Sequence, residues 1–285
     1  MGEHAKYRPL VSLQTAQYLL KGDGMTVSRT DTLSRCVRQT RNRRMGVAIC
    51  LGLTALSLGS LAEAGCRQAL VLALDISGSV DQAEHSLQRR GLAAALNSDD
   101  VRAVLLKDIE NPVRFSVFEW SGPGDQQTIS DWLQVDSDAA LDQLIQRIET
   151  APRVAANPST ALGQAMLHGG ELLTSQPCWQ LTLDISGDGV SNTGPRPQDV
   201  DLDPAITVNG LVIKTTPAPI GRRIREQTDE LEVYFETNVV RGDLSFIEIA
   251  NGFEDYERAM RRKLLRELTS LTVGSASLSA PRLAQ

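Results

Sequence analysis

The stretch Ala69-Leu70-Val71-Leu72-Ala73-Leu74 is apolar without interruption and stops abruptly at Asp75. A strand with one face in water alternates apolar and polar residues. An unbroken run has no polar face and must be covered on both sides. A parallel sheet with helices on both faces meets that demand. Helical spacing recurs over 80–96, 139–148, 160–174, 231–239 and 254–268, and strand-like runs over 113–120, 179–185, 206–213 and 245–250. The prediction is one α/β domain, doubly wound and mostly parallel in the Rossmann-like manner, without internal repeats.

The apolar run ends in Asp75-Ile76-Ser77-Gly78-Ser79. That turn gathers one carboxylate and two hydroxyls, hard oxygen donors suited to Mg²⁺, Mn²⁺ or Ca²⁺ and poorly suited to Zn²⁺. One turn supplies too few ligands. Two further segments offer partners: Ser159-Thr160-Ala161-Leu162-Gly163, which opens a helical pattern, and the strand Leu181–Ile185 running into Ser186-Gly187-Asp188-Gly189. In a doubly wound sheet, ligands bind beyond the carboxyl ends of the strands where strand order reverses. Asp75 and Asp188 both follow strands at such an edge, and two close carboxylates repel unless a cation bridges them. Asp81 and Asn192 flank the site as residues that orient ligands. Each residue also has a local reading. Asp75 and Ser77 could cap a helix starting at 80, Thr160 could cap its own, and Asp188-Gly189 could form only a turn. Asp184 and Glu119 read as buried structural acids, His85 and His168 as structural or surface residues. Arg222-Arg223 and Arg261-Arg262-Lys263 read as solvated helix faces.

Taken together, Asp75-x-Ser77-x-Ser79, Thr160 and Asp188 resemble the metal-ion-dependent adhesion site of von Willebrand factor A domains. The resemblance implies that Ser77 and Ser79 coordinate a divalent cation directly. Asp75, Thr160 and Asp188 would do so directly or through water, leaving one position open for a partner's Asp or Glu. More narrowly, 66–268 is similar to bacterial exported proteins of unassigned function built on this fold. The likeness is carried by 71–81, Phe118-Glu119-Trp120-Ser121-Gly122-Pro123-Gly124, Asp184–Gly189, Ile206–Leu211 and Ala259–Leu264. Two departures stand out. Ala156-Asn157-Pro158-Ser159 replaces a Gly-rich approach to Thr160, and an acidic, Pro-containing loop over 195–204 replaces most of a helix. The family's strand order makes the first and fourth strands neighbours. It thereby implies that Cys66 and Cys178, at matching distances before Asp75 and Asp188, face each other in a disulfide. The competing reading makes Cys66 a lipidated N-terminus, against which Glu63 stands where an apolar residue is usual.

Residues 1–64 read as an N-terminal extension and secretory signal. Arg35, Arg38, Arg41, Arg43 and Arg44 precede an apolar run over 47–61, which ends at Ala62-Glu63-Ala64. The run is too short for a comfortable membrane span, and Met25 would already start a complete signal. The domain is expected over 65–268, with a flexible tail over 269–285. Residues 65–285 carry 20 Lys/Arg and 31 Asp/Glu, a net charge of −11, which argues against nucleic acid or an anionic membrane as partner. The expected product is exported, periplasmic or secreted. It is a non-catalytic module that holds a divalent cation, Mg²⁺ first, and grips an acidic residue of a protein partner. A metal-dependent hydrolase is the rival, but no His, Lys or Cys stands beside the motif, and neither Gly-x-x-x-x-Gly-Lys nor a phosphatase Asp-x-Asp is present. A structural domain with a degenerate site is the third reading.

Overall fold

The computed structural model describes residues 65–154, 157–214 and 223–277. The leader expected over 1–64 and the last part of the expected tail, 278–285, lie outside the described residues. Strands are β1 (Cys66–Asp75), β2 (Val113–Trp120), β3 (Gln126–Val135), β4 (Cys178–Gly187), β5 (Ile206–Ile213) and β6 (Ile247–Ala250). Helices are α1 (Gln82–Asn97), α2 (Asp99–Leu105), α3 (Asp138–Thr150), α4 (Leu162–Thr174), α5 (Arg223–Asn238) and α6 (Tyr256–Ser277). The sheet order is β3-β2-β1-β4-β5-β6, with every pairing parallel except that of β3 with β2. This is the expected doubly wound architecture.

β1 is buried along its whole length, and its two faces enter different cores. Leu70, Leu72 and Leu74 pack with Leu92 and Leu96 of α1, Leu144 of α3 and Leu264 of α6. Ala69, Val71 and Ala73 pack with Leu162 and Met166 of α4 and Phe235 of α5. The small residues face α4, which comes in so close that a Cβ on its Gly169 would lie 2.4 Å from Leu183 Cδ1. Each large apolar side chain so buried stabilises by about 1.5–3 kcal/mol. Among the described residues no helix is long and apolar enough to cross a membrane.

The structure departs from the sequence reading at several points. α1 begins at Gln82, not at residue 80, because Asp81 caps it. Asp81 Oδ1 accepts the N–H groups of Ala83 (2.7 Å) and Glu84 (2.9 Å), while Glu84 Oε2 accepts the Asp81 N–H. β3 and α2 escaped the sequence reading, and α5 starts earlier, at Arg223. α6 continues to Ser277, past the boundary expected at 268. The segment 195–204 holds only a short 3₁₀ turn at Pro197–Asp199, in keeping with the loop expected there.

Lys263 is the clearest correction. Expected on a solvated face, it is fully buried (0 % exposed), with Nζ 2.8 Å from Asp184 Oδ2 and 2.7 Å from Glu267 Oε1. Asn209 Nδ2 donates to the same Glu267 oxygen at 2.6 Å. Burial works against the Lys263 charge, but the two carboxylates outweigh it and raise its pKa. Its neighbours do lie outside, Arg261 paired with Asp100 and Arg262 with Glu248. Arg222 and the side chain of Arg223 lie outside what is described.

Cys66 and Cys178 stand opposite each other in the β1–β4 register and form a disulfide, with Cα atoms 4.5 Å apart and a sequence separation of 112. A disulfide-bonded Cys66 carries no lipid. In the chain-entropy model a loop of this length is worth about 4–5 kcal/mol. Replacing both cysteines with serine should therefore lower the melting temperature by roughly 10 °C or more. An unchanged melting curve would show that the cross-link adds nothing to stability. Lys263→Met should cost about 3–5 kcal/mol in urea unfolding, because it removes the buried counter-charge of Asp184.

Candidate metal centre

Strand order reverses between β1 and β4, and the expected site lies where those two strands end. After Asp75 the chain folds back on its own carboxylate, the Ser77 N–H donating to Asp75 Oδ1 at 2.7 Å. Ser77 and Ser79 hydroxyls lie 3.4 Å apart, and Ser79 Oγ donates to Asp188 Oδ1 at 2.7 Å. The β1 loop and the β4 loop thus meet through hydroxyls and carboxylates. Gly78 lets the third loop approach. Its N–H donates to the Pro158 carbonyl at 3.0 Å, and a Cβ there would lie 2.8 Å from that oxygen.

Thr160 is tied to the β4 loop by a reciprocal pair. Its N–H donates to Asn192 Oδ1 and its carbonyl accepts the Asn192 N–H, both at 2.9 Å; Ser191 Oγ adds a third bond to that carbonyl. Asn192 therefore positions Thr160, while the Asp81 side chain is engaged at the α1 cap. The helix-capping readings of Asp75, Ser77 and Thr160 fall away. α1 has its cap in Asp81, and α4 follows Ala161 without any side-chain cap, so neither Asp75 nor Thr160 serves as one.

Asp75 is completely buried, and burial first, then the charge of Asp188, push its carboxyl up to about 7. None of the groups acting on it is a cation. Burial raises the Asp188 carboxyl too, with the Ser79 hydroxyl pulling the other way. Asp75 Oδ2 and Asp188 Oδ2 are buried with no hydrogen-bond partner among the described residues. Two buried acceptors without donors cost several kcal/mol between them unless something positive answers them. The donor set fits a hard divalent cation. Among the described residues no three His, Cys, Asp or Glu side chains form a metal-holding group, so a cation here would draw on two carboxylates and hydroxyls.

Other residues support the loops without any signal in the sequence pattern. Gln88 Nε2 donates to the Asp75 carbonyl at 3.3 Å, and Arg153 Nη2 to the Val80 carbonyl at 2.8 Å. Glu119 is the structural acid expected, held by His85 Nε2 at 2.6 Å and Arg89 Nη1 at 2.9 Å. Burial works to raise its pKa, but these two partners outweigh burial and lower it. His168 packs edge-on against Phe118. Asp184 pairs with Lys263 and takes no part in the site.

Known structures share the fold at low identity. Proximal thread matrix protein 1 from the mussel byssus is 15% identical, with a TM-score of 0.50 over 74% of this chain and 49% of that one. A second structure of the mussel protein, "with zinc occupied MIDAS motif", gives the same values: 15% identity, TM-score 0.50, 74% and 49%. A von Willebrand factor type A structure from Catenulispora acidiphila is 14% identical, with a TM-score of 0.43 over 71% of this chain and 43% of that one. The chain thus spans about half the length of the mussel protein. No curated protein matches it in sequence. A family model described as "Protein of unknown function (DUF1194)" matches residues 65–272. On that match the chain belongs to this family.

Proposed function

We propose that this protein is an exported, non-catalytic recognition module that binds an acidic residue of a protein partner through a divalent cation. The observation that carries the reading is the pair of buried oxygens, Asp75 Oδ2 and Asp188 Oδ2, without hydrogen-bond partners and with no cation acting on Asp75 among the described residues. Asp75 and Asp188 would hold the ion, with Ser77, Ser79 and Thr160 supplying neutral oxygens. Bound there, it would offer a positive centre with a coordination position open to a carboxylate. All five donors being oxygen favours Mg²⁺, with Mn²⁺ and Ca²⁺ as alternatives. The zinc-occupied MIDAS motif of the mussel protein supports metal occupancy on this type of fold.

Export is supported by the disulfide, a bond of oxidising compartments, and by the basic-apolar-small pattern of 1–64, which would be removed on export to leave a domain from residue 65. The net charge of −11 over 65–285 speaks against nucleic acid. A non-catalytic role is supported by the candidate loops themselves, since 75–81, 157–163 and 186–192 contain no His, Lys or Cys.

Titrating Mg²⁺, Mn²⁺ and Ca²⁺ into the protein lacking 1–64 should raise its melting temperature by roughly 5–10 °C at a hundred times Kd. The shift should vanish in Asp75→Ala. No shift with any ion would sink the metal reading and favour a structural domain. A metal-dependent hydrolytic activity lost in Asp75→Ala would favour the hydrolase. A pH series adds a second check. The Asp75 carboxyl is neutral below about 7, and protons compete with the ion, so calorimetric affinity should fall about tenfold per pH unit below that point.

A further inference from the structure

A cavity of about 120 Å³ opens beside the metal loop, lined by Ile76, Ser121, Gly124, Asp125, Gln126, Gln127 and Val154. Its walls are tied to the candidate ligands. Ile76 lies between Asp75 and Ser77, and its N–H donates to the Trp120 carbonyl at 2.9 Å. The Ser121 carbonyl accepts the N–H of Ala161, which follows Thr160, at 2.8 Å. Through Ile76 and Ser121 the cavity thus adjoins the segments that carry Asp75, Ser77 and Thr160.

The lining selects what enters. Ile76 and Val154 offer apolar surface, and Val154 is a large apolar residue left 40% exposed. Asp125, Gln126 and Gln127 form the polar side. Ser121 is fully buried, and its Oγ has no hydrogen-bond partner among the described residues. A cavity of roughly 150 Å³ holds benzene, so this one is the size of an aliphatic side-chain stem. The whole-domain charge adds a second constraint. Residues 65–285 carry −11, so a uniformly acidic ligand is repelled before its carboxylate reaches the ion. A positive neighbour reverses that.

We propose that the cavity between the Asp75–Ser79 loop and the β2–β3 turn is a subsite for a Lys or Arg adjacent to the metal-bound Asp or Glu. Its stem lies on Ile76 and Val154 and its cationic head faces Asp125. This rests on the metal-mediated recognition proposed above. The recognised class is then an acidic residue in a basic setting.

Three short synthetic peptides test it, each with one central Asp flanked on both sides by Lys, Ala or Glu. Binding to the purified protein is measured with and without Mn²⁺, then repeated with Asp125→Lys. The Lys-flanked peptide should bind in a metal-dependent manner and about five- to tenfold more tightly than the Glu-flanked one, the scale of a partly exposed charge pair. In Asp125→Lys the order should reverse. Metal-dependent binding without preference among the three would overturn the subsite and leave the metal reading standing. A preference for Lys that persists undiminished in Asp125→Lys would assign the effect to overall charge and overturn it as well. Loss of metal dependence for every peptide would overturn both.

Discussion

Parallel pairing of β1 with β4 sets Cys66 against Cys178 at one end and carries Asp75 and Asp188 to a common edge at the other. The pairing is what brings those two carboxylates together, although they stand 113 positions apart in sequence. The pairing depends in turn on β1 being buried on both faces, with leucines toward α1, α3 and α6 and small residues toward α4. The cysteines brace the bottom of the ladder. The top is left to loops that touch through Ser79, Gly78 and Asn192.

Two buried acids on this sheet show how different their circumstances can be. Asp184 lies within β4 and is answered by the Lys263 ammonium. Asp75, equally buried, is answered by no cation among the described residues and faces Asp188 besides. A buried charge with a counter-ion from its own chain is structural business. A buried charge with none is either neutral or waiting for an ion from outside. That contrast gives the candidate centre its meaning, more than any single hydroxyl does.

The elements legible in the sequence were those with one physical rule to obey. β2 and β5 were read to the residue, and β1, buried on both sides, announced the parallel sheet. β3 obeys no simple rule. Its pairing with β2 slips in register twice, so its buried positions fall at Ser130, Leu133 and Val135 instead of alternating, and its outer face is polar. Lys263 misled for a different reason. Beside two arginines it looked like one more solvated cation, and only the position of Asp184 and Glu267 across the α6 packing face shows otherwise. The candidate site residues were visible as chemistry on three loops. The capping role of Asp81 and the positioning role of Asn192 needed the geometry.

β1 is the first strand of the domain, yet the partners that enclose it come late. Val113 of β2 pairs with Gln68, and Cys178 of β4 pairs with Cys66. A chain delivered from its N-terminus therefore presents an apolar ten-residue strand that stays half unpaired until β4 has arrived. Such long-range pairing makes folding slow and leaves the intermediate prone to aggregation. The disulfide can close only after that arrival, with β5 and β6 still to join the sheet, so oxidation follows the β1–β4 pairing. In that interval β1 is an unpaired apolar edge, the feature of a folding intermediate most open to pairing with another chain.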